Sequence, residues 1–288
     1  MSKVSGVMRS YKQLLKLMNK KPLICTSITT NNKKDYLANL KKAIVLGSDL
    51  AELRMDFFKK ISSEEMKTII RKSELPLIVT NRNRENGGLF SKGEKARLSV
   101  LESAIEAQPS FVDIELATDS EKRTKIMNLA RQNNVGIICS YHDFHRTPDV
   151  EEIMKIYDHI TSTNADIAKL VFTTKNNKDI RNILKAARKL HSKKIPFTIF
   201  GMGLKAQITR MLSPLLGSSL TYSALRTEVE TDLGQLSLGH TRKFFNMMEK
   251  KGWKKLRNRR DDLIHLAMIE LNDDGSYPLA SVDKLIKH

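Results

Sequence analysis

The stretch ADIAKLVFTTKNNKDIRNILKAARKLHSKKIPFTIFGM (165–202) reads as one strand–helix–strand unit. It opens on DIAKLVFT (166–173), an apolar run of strand length. KDIRNILKAARKLHSK follows, with apolar residues three and four apart, as on one face of an amphipathic helix. PFTIFGM (196–202) is a second apolar run. Two strands joined by a crossover helix pair in parallel.

Outward from this unit the pattern repeats along the chain. The other apolar runs are PLICTSI (22–28), DLAELRMDFF (49–58), PLIVTNR (76–82), FVDIELA (111–117), GIICSYHDF (136–144) and LTYSAL (220–225). Amphipathic stretches such as SSEEMKTIIRKSE and DVEEIMKIYDHITS separate them. The runs are nearly continuous in apolar residues, as strands covered on both faces are. An open doubly wound sheet also alternates strand and helix. Eight units in about 230 residues fit a closed α/β (β/α)8 TIM barrel better, and no GxGxxG follows the first run. We therefore expect a basic helical extension over 1–21 (it contains MRSYKQLLKLMNK), the barrel over 22–249, and a basic C-terminal extension over 250–288.

Composition narrows the function classes. The chain has 288 residues, 40% hydrophobic and 28% charged, with only 13 Gly and 7 Pro, which excludes collagen-like and wholly disordered chains. No run of 18 apolar residues is present, so no membrane span is expected. Met1 to Lys21 is basic but lacks the apolar core of a secretory signal. Cys25 and Cys139 sit in apolar runs and read as buried thiols, so a cytoplasmic protein is expected. Fifty Lys and Arg against 32 Asp and Glu give +18, which suits anionic partners without choosing among them; because the Lys residues are spread along the whole chain, a solvated lysine-rich surface is the preferred reading.

In a barrel of this kind the chemistry lies at the C-terminal ends of the strands. ELRMD puts Glu52, Arg54 and Asp56 at alternate positions, which predicts one shared strand face, and buried charges there must pair with each other or with a ligand. Thr80 and Arg82 end the third run, Asp113 and Glu115 lie in the fourth, and His142 and Asp143 end the fifth. Lys169 stands in the middle of the apolar IAKLVF. Desolvation and neighbouring cations would make such an amine neutral and nucleophilic, fit for a Schiff base with a ketone or aldehyde; a snorkelling lysine is the alternative. His142, one strand away, is a proton acceptor beside that electron sink. Arg82 and Arg210 could each clamp a carboxylate.

The set ELRMD, TNR…GG, VDIEL, SYHDF…TP, AKL, MG…R and GQ, in this order and spacing over about Pro22 to Phe245, resembles the type I 3-dehydroquinate dehydratases. The resemblance implies a (β/α)8 homodimer of the shikimate pathway that performs syn elimination of water from 3-dehydroquinate, giving 3-dehydroshikimate, with no metal and no cofactor. It assigns the imine to Lys169, proton transfer to His142, and a hydrogen-bonding role near the substrate hydroxyls and histidine to Glu52. It places Arg54, Arg82 and Met202 in the pocket wall, Arg210 on the substrate carboxylate, and Thr231 and Gln235 on a covering loop. Glu115 resembles an orienting acid. The family commonly has EGG after the third strand, whereas Asn86 stands at the acid position here, with Glu85 one place earlier. Thr231 and Leu233 replace the usual Ser and Pro before GQ. Many members close the barrel bottom with a β-hairpin, where this N-terminus reads as helix.

Two other readings compete. One is a different Schiff-base barrel, such as a class I aldolase. The other is an inactive barrel that binds nucleic acid through KKGWKKLRNRR (250–260), seven cations in 11 residues around the one Trp. A complete set of reactive residues argues against decay, and nucleic acid is not the expected partner.

Overall fold

The computed structural model describes residues 10–193, 195–225, 234–259 and 262. Among them are eight strands: β1 (Leu23–Ile28), β2 (Leu50–Arg54), β3 (Leu77–Thr80), β4 (Phe111–Glu115), β5 (Gly136–Asp143), β6 (Ile167–Thr173), β7 (Phe197–Met202) and β8 (Leu220–Ala224). Helix α1 (Tyr11–Met18) precedes them. The crossovers are α2 (Lys33–Val45), α3 (Ser63–Lys72), α4 (Glu94–Ile105), α5 (Ser120–Gln132), α6 (Val150–Ser162), α7 (Asn177–Leu190) and α8 (Gln207–Leu215); α9 (Leu238–Lys251) and α10 (Trp253–Asn258) follow β8. Local chemistry starts most of these helices. Asn32, Ser62, Asp119, Asp149, Asn176 and Ser237 each cap a helix by accepting a backbone N–H of its first turn.

The ladders are all parallel and run β7-β6-β5-β4-β3-β2-β1-β8. The β7–β8 seam is drawn together by Ser219 N–H donating to the Phe197 carbonyl and the Thr198 hydroxyl donating to the Leu220 carbonyl, both at 2.7 Å. The result is the nearly closed (β/α)8 barrel that the repeat predicts.

Strand alternation makes two cores. Outward residues such as Ile24, Leu53, Val79, Ile114, Cys139 and Phe172 pack under the helices. Inward residues fill the lumen, and its lower layer is apolar: Leu23, Leu50, Ile78, Phe111, Ile138, Ile167 and Leu220. Two residues further along the same strands the inward positions become Glu52, Thr80, Asp113, Ser140, Lys169 and Tyr222, all buried. Polarity therefore rises toward the C-terminal ends. Both thiols are buried and unpaired with each other, Cys25 in the lumen and Cys139 under the helices.

Helix α1 closes the lower end. Ser10 and Gln13 form a capping box, and Tyr11, Leu14 and Met18 join the lumen core, with the Tyr11 ring edge-on to Phe111 at 6.2 Å. The plug is helical, as the sequence indicates. At the other terminus Trp253 is buried and meets Phe245 at 5.1 Å, while Lys250, Lys251, Lys254 and Lys255 are exposed. The Trp ring is thus spent on packing and does not interleave with the cations at the surface. Among the described residues no helix is long and apolar enough to cross a membrane.

Two expected strands end earlier than the apolar runs. The chain leaves β2 after Arg54 for a 3-10 turn, Met55–Phe57, so Asp56 does not share the face of Glu52 and Arg54 by alternation. The turn swings its carboxylate back onto the Arg54 guanidinium, with Nε at 3.0 Å and Nη2 at 2.7 Å. Likewise β3 stops at Thr80, and Arg82 enters the lumen from the loop beyond it.

Candidate active site

The upper lumen opens into a cavity of about 440 Å³, floored by Lys169 and Tyr222 and walled by Glu52, Arg54, Arg82 and His142. A larger cavity of about 840 Å³ lies outside the barrel between α3 and α4, lined by residues such as Lys59, Ser62 and Val100. It contains neither Lys169 nor His142, and the chemistry belongs to the smaller one.

Lys169 is 4% exposed. Its Nζ donates to Asp113 at 3.0 Å and stands 3.6 Å from Glu52. The sequence led us to expect cations beside this amine. The structure corrects that: its immediate charged neighbours are carboxylates, and Arg82 stands on the far side of Asp113, at 2.9 Å. Strand tilt explains it: in the ladders Ser140 pairs with both Lys169 and Glu115, and Asp113, one inward position before Glu115 on β4, reaches across to Ser140 and Lys169. Ser140 donates to Asp113 at 2.6 Å, while Ser27 and Thr80 donate to Glu52 at 2.6 and 2.8 Å. Burial pushes both acids up, but Lys169 with Arg82 outweighs it at Asp113, and Lys169 with Arg54 at Glu52; both carboxyls end below their usual range.

His142 is part of the same network. The Arg82 guanidinium lies along its ring edge, touching Nδ1 at 3.2 Å and closer still to Nε2. Burial, then Arg82 and Lys169, hold the imidazole well below its ordinary value, so the ring is neutral in the resting site. Phe144 stacks on its face at 5.9 Å. Behind Arg82, Glu115 lies 3.7 Å from its Nε and 2.5 Å from Arg97 of α4, and burial pushes the Glu115 carboxyl up to about 7 against both cations.

The glycine motifs have a steric origin. Gly87 has φ +75°, and a Cβ there would lie 2.4 Å from the Phe144 ring; one at Gly88 would lie 2.0 Å from the Arg82 carbonyl. The NGG segment thereby folds back on Arg82 and places Asn86 in the cavity wall. Glu85 lines a neighbouring exposed cavity instead, so at the acid position it is the amide that faces the lumen cavity. Gly234 (φ +107°) lies against the Gly203 carbonyl, 2.2 Å from where a Cβ would be, which brings Gln235 to the rim.

Of the residues singled out in the sequence, Glu52, Arg54, Arg82, His142, Lys169, Met202 and Gln235 all line this cavity. Arg210 of α8 is one layer behind, its guanidinium stacked 4.1 Å over Phe200, which is itself in the wall. Thr231 lies outside the described residues. Two participants escaped the sequence reading. In sequence Asp113 reads only as a polar strand residue, and its inward alternation with Glu115 is the signal that points to it. Tyr222 left no local signal in LTYSAL, since an aromatic in an apolar run is ordinary core. Among the described residues no group of three or more His, Cys, Asp or Glu is placed to hold a metal ion.

Comparison with known proteins finds relatives in sequence and in fold. The family model of type I 3-dehydroquinase matches residues 24–252. A 3-dehydroquinate dehydratase of Methanococcoides burtonii is 33% identical over 236 residues, covering 81% of this chain and 97% of its own. A bifunctional 3-dehydroquinate dehydratase/shikimate dehydrogenase of Arabidopsis thaliana is 30% identical over 214 residues, 74% of this chain and 35% of that one. The crystal structure of a type I 3-dehydroquinate dehydratase from Clostridium difficile, with covalently modified comenic acid, superposes with a TM-score of 0.76 at 26% identity, covering 81% and 94% of the two chains.

Proposed function

This chain belongs to the type I 3-dehydroquinase family, and we propose that it removes water from 3-dehydroquinate, giving 3-dehydroshikimate, through an imine on Lys169. The observation that carries the reading is a buried amine on the cavity floor, flanked by two carboxylates and sharing the cavity with a histidine of the next strand.

In this reading the Lys169 amine, freed of its resting proton, adds to the C3 ketone, and the carbinolamine hydroxyl takes that proton back and leaves as water, giving an iminium. Asp113 and Glu52 balance its positive charge without rearrangement, since the resting ion pairs already occupy that position. The iminium draws electron density from C2, and the C2–H proton passes to His142. The C1–OH bond then breaks, with the hydroxyl leaving as water by taking that proton. Hydrolysis of the iminium frees the product and the amine. Arg82 donates toward His142 in the resting site and must yield that contact as the ring takes up its proton. Arg210, which stands behind Phe200 in the resting site, must shift past that ring to grip the substrate carboxylate, with Arg54, Met202 and Gln235 around the substrate ring.

The direct test is intact mass after mixing the protein with 3-dehydroquinate and borohydride, with peptide mapping. A reduced adduct on Lys169 supports the imine; its absence in a protein that still turns substrate over refutes it.

Two further outcomes are expected. His142 is the base in its neutral form, and its value is depressed from the ordinary 6.5. The neutral form therefore persists on acidification through that range, and kcat/KM should fall only well below pH 6.5. An acid limb centred at or above 6.5 contradicts the assignment. Arg210→Ala should raise KM by about 10- to 100-fold, the loss of charge-assisted hydrogen bonds, and should also lower the melting midpoint, because the side chain it removes is buried against Phe200. An unchanged KM removes Arg210 from the carboxylate.

A further inference from the structure

The ring of Tyr222 presents its face to Lys169, with Nζ 4.2 Å from the centroid. We infer that Tyr222 is a catalytic residue of this site, whose aromatic face stabilises the positive charge on the nitrogen that joins Lys169 to substrate. The inference rests on the imine reading and adds to it a group that motif reasoning does not single out.

Two observations and one general principle carry it. Tyr222 is 2% exposed at the centre of β8 and lines the cavity, so water does not compete for its face. An aromatic face is electron-rich and attracts a cation most strongly where both are desolvated. Finally, its hydroxyl has no hydrogen-bond partner among the described residues, so no polar anchor there accounts for the ring. Asp113 and Glu52 supply ion pairs to the nitrogen, and the ring supplies a neutral face that holds a cation in place without adding another charge to desolvate.

Charge on the nitrogen changes along the reaction. The ketone and amine form a neutral carbinolamine, protonation of its hydroxyl and departure of water make the cationic iminium, and removal of the C2 proton returns the electron pair to nitrogen as the enamine. A cation-stabilising face therefore favours forming and holding the iminium. The ladder continues, because the Tyr222 ring meets Phe200 at 5.8 Å and Phe200 carries Arg210 on its face at 4.1 Å. The ring pair thus lies between the two cations proposed to hold substrate, the imine nitrogen and the carboxylate clamp. Their tasks separate: Tyr222 acts on the imine, whereas Phe200 acts on KM by orienting Arg210.

The test is a series in the full-length chain with Tyr222 replaced by Phe and then by mono-, di- and trifluorinated Phe, which are nearly isosteric but progressively weaken the ring's negative face. The readouts are the fraction of chains carrying a borohydride-reduced Lys169 adduct at sub-saturating 3-dehydroquinate, kcat/KM, and the melting midpoint. Tyr222→Phe should stay within about threefold of wild type. Both functional readouts should then fall stepwise, by about 10- to 30-fold at the trifluorinated ring, with the midpoint unchanged. A flat series overturns the inference while leaving the imine intact. A Tyr222→Phe variant that loses more than tenfold also overturns it, since the hydroxyl rather than the face would then be at work. A wild-type protein with no adduct on Lys169 defeats the imine reading itself, which separates the two failures.

Discussion

Lys169→Ala should abolish turnover, lowering kcat by about 10⁴-fold or more, because among the described residues no other group lining the cavity supplies an amine to conjugate with the ketone. The borohydride adduct should vanish with it. Turnover within tenfold of wild type would sink the imine mechanism. The same substitution has a cost in folding, because it leaves Asp113 and Glu52 buried without their shared cation. Breaking a buried pair from one side destabilises by about 3–5 kcal/mol. The sign with pH follows from linkage. In the wild type Asp113 is held below its ordinary 3.8, so its contribution is present above that value and is lost only as pH falls through the lower folded value. In the variant that contribution shrinks, and the deficit relative to wild type should be largest near neutrality and narrow on acidification. Melting midpoints of both proteins from pH 8 down to about pH 2 check this, and activity is compared where the variant is folded.

His142→Ala should lower kcat by about 10²- to 10⁴-fold, the usual worth of a positioned general base, yet leave the reduced adduct on Lys169 in place. Lys169 and its carboxylates do not depend on the imidazole, whose contacts are to Arg82 and Phe144. The iminium therefore still forms, and what slows is removal of its C2 proton. Single-turnover rates measured beside adduct mass separate the two steps. An unaffected kcat would remove His142 from the proton transfer. Loss of the adduct together with kcat would mean that imine formation, and not proton abstraction, is what the ring controls.

Much of this site could be read from local sequence because barrel strands alternate. A charge inside an apolar run, as at Glu52 and Lys169, announces a lumen-facing position without any knowledge of the neighbouring strand. The same logic failed at Asp56, where a 3-10 turn breaks the alternation, and at Lys169's surroundings, where proximity across β4, β5 and β6 decides the neighbours. Tyr222 could not be found at all this way. An aromatic in a strand is core by default, and only its position relative to Nζ, on a strand 53 residues away in sequence, makes it more.

By itself the sequence determined the eight strand–helix units, the amine on the sixth strand, the histidine on the fifth, and the helical start of the chain. Each of these follows from periodicity, capping residues or motif spacing within a few tens of residues. Tertiary structure alone decided that Asp113 is the closest partner of Lys169, that Asn86 rather than Glu85 faces the cavity, that Arg210 stands behind Phe200, and that α1 seals the lumen. Those contacts depend on the register between neighbouring strands and on which layer of the barrel each inward side chain occupies. Both are set when the sheet curls round to bring β7 and β8 together, and no local window of sequence contains that closure.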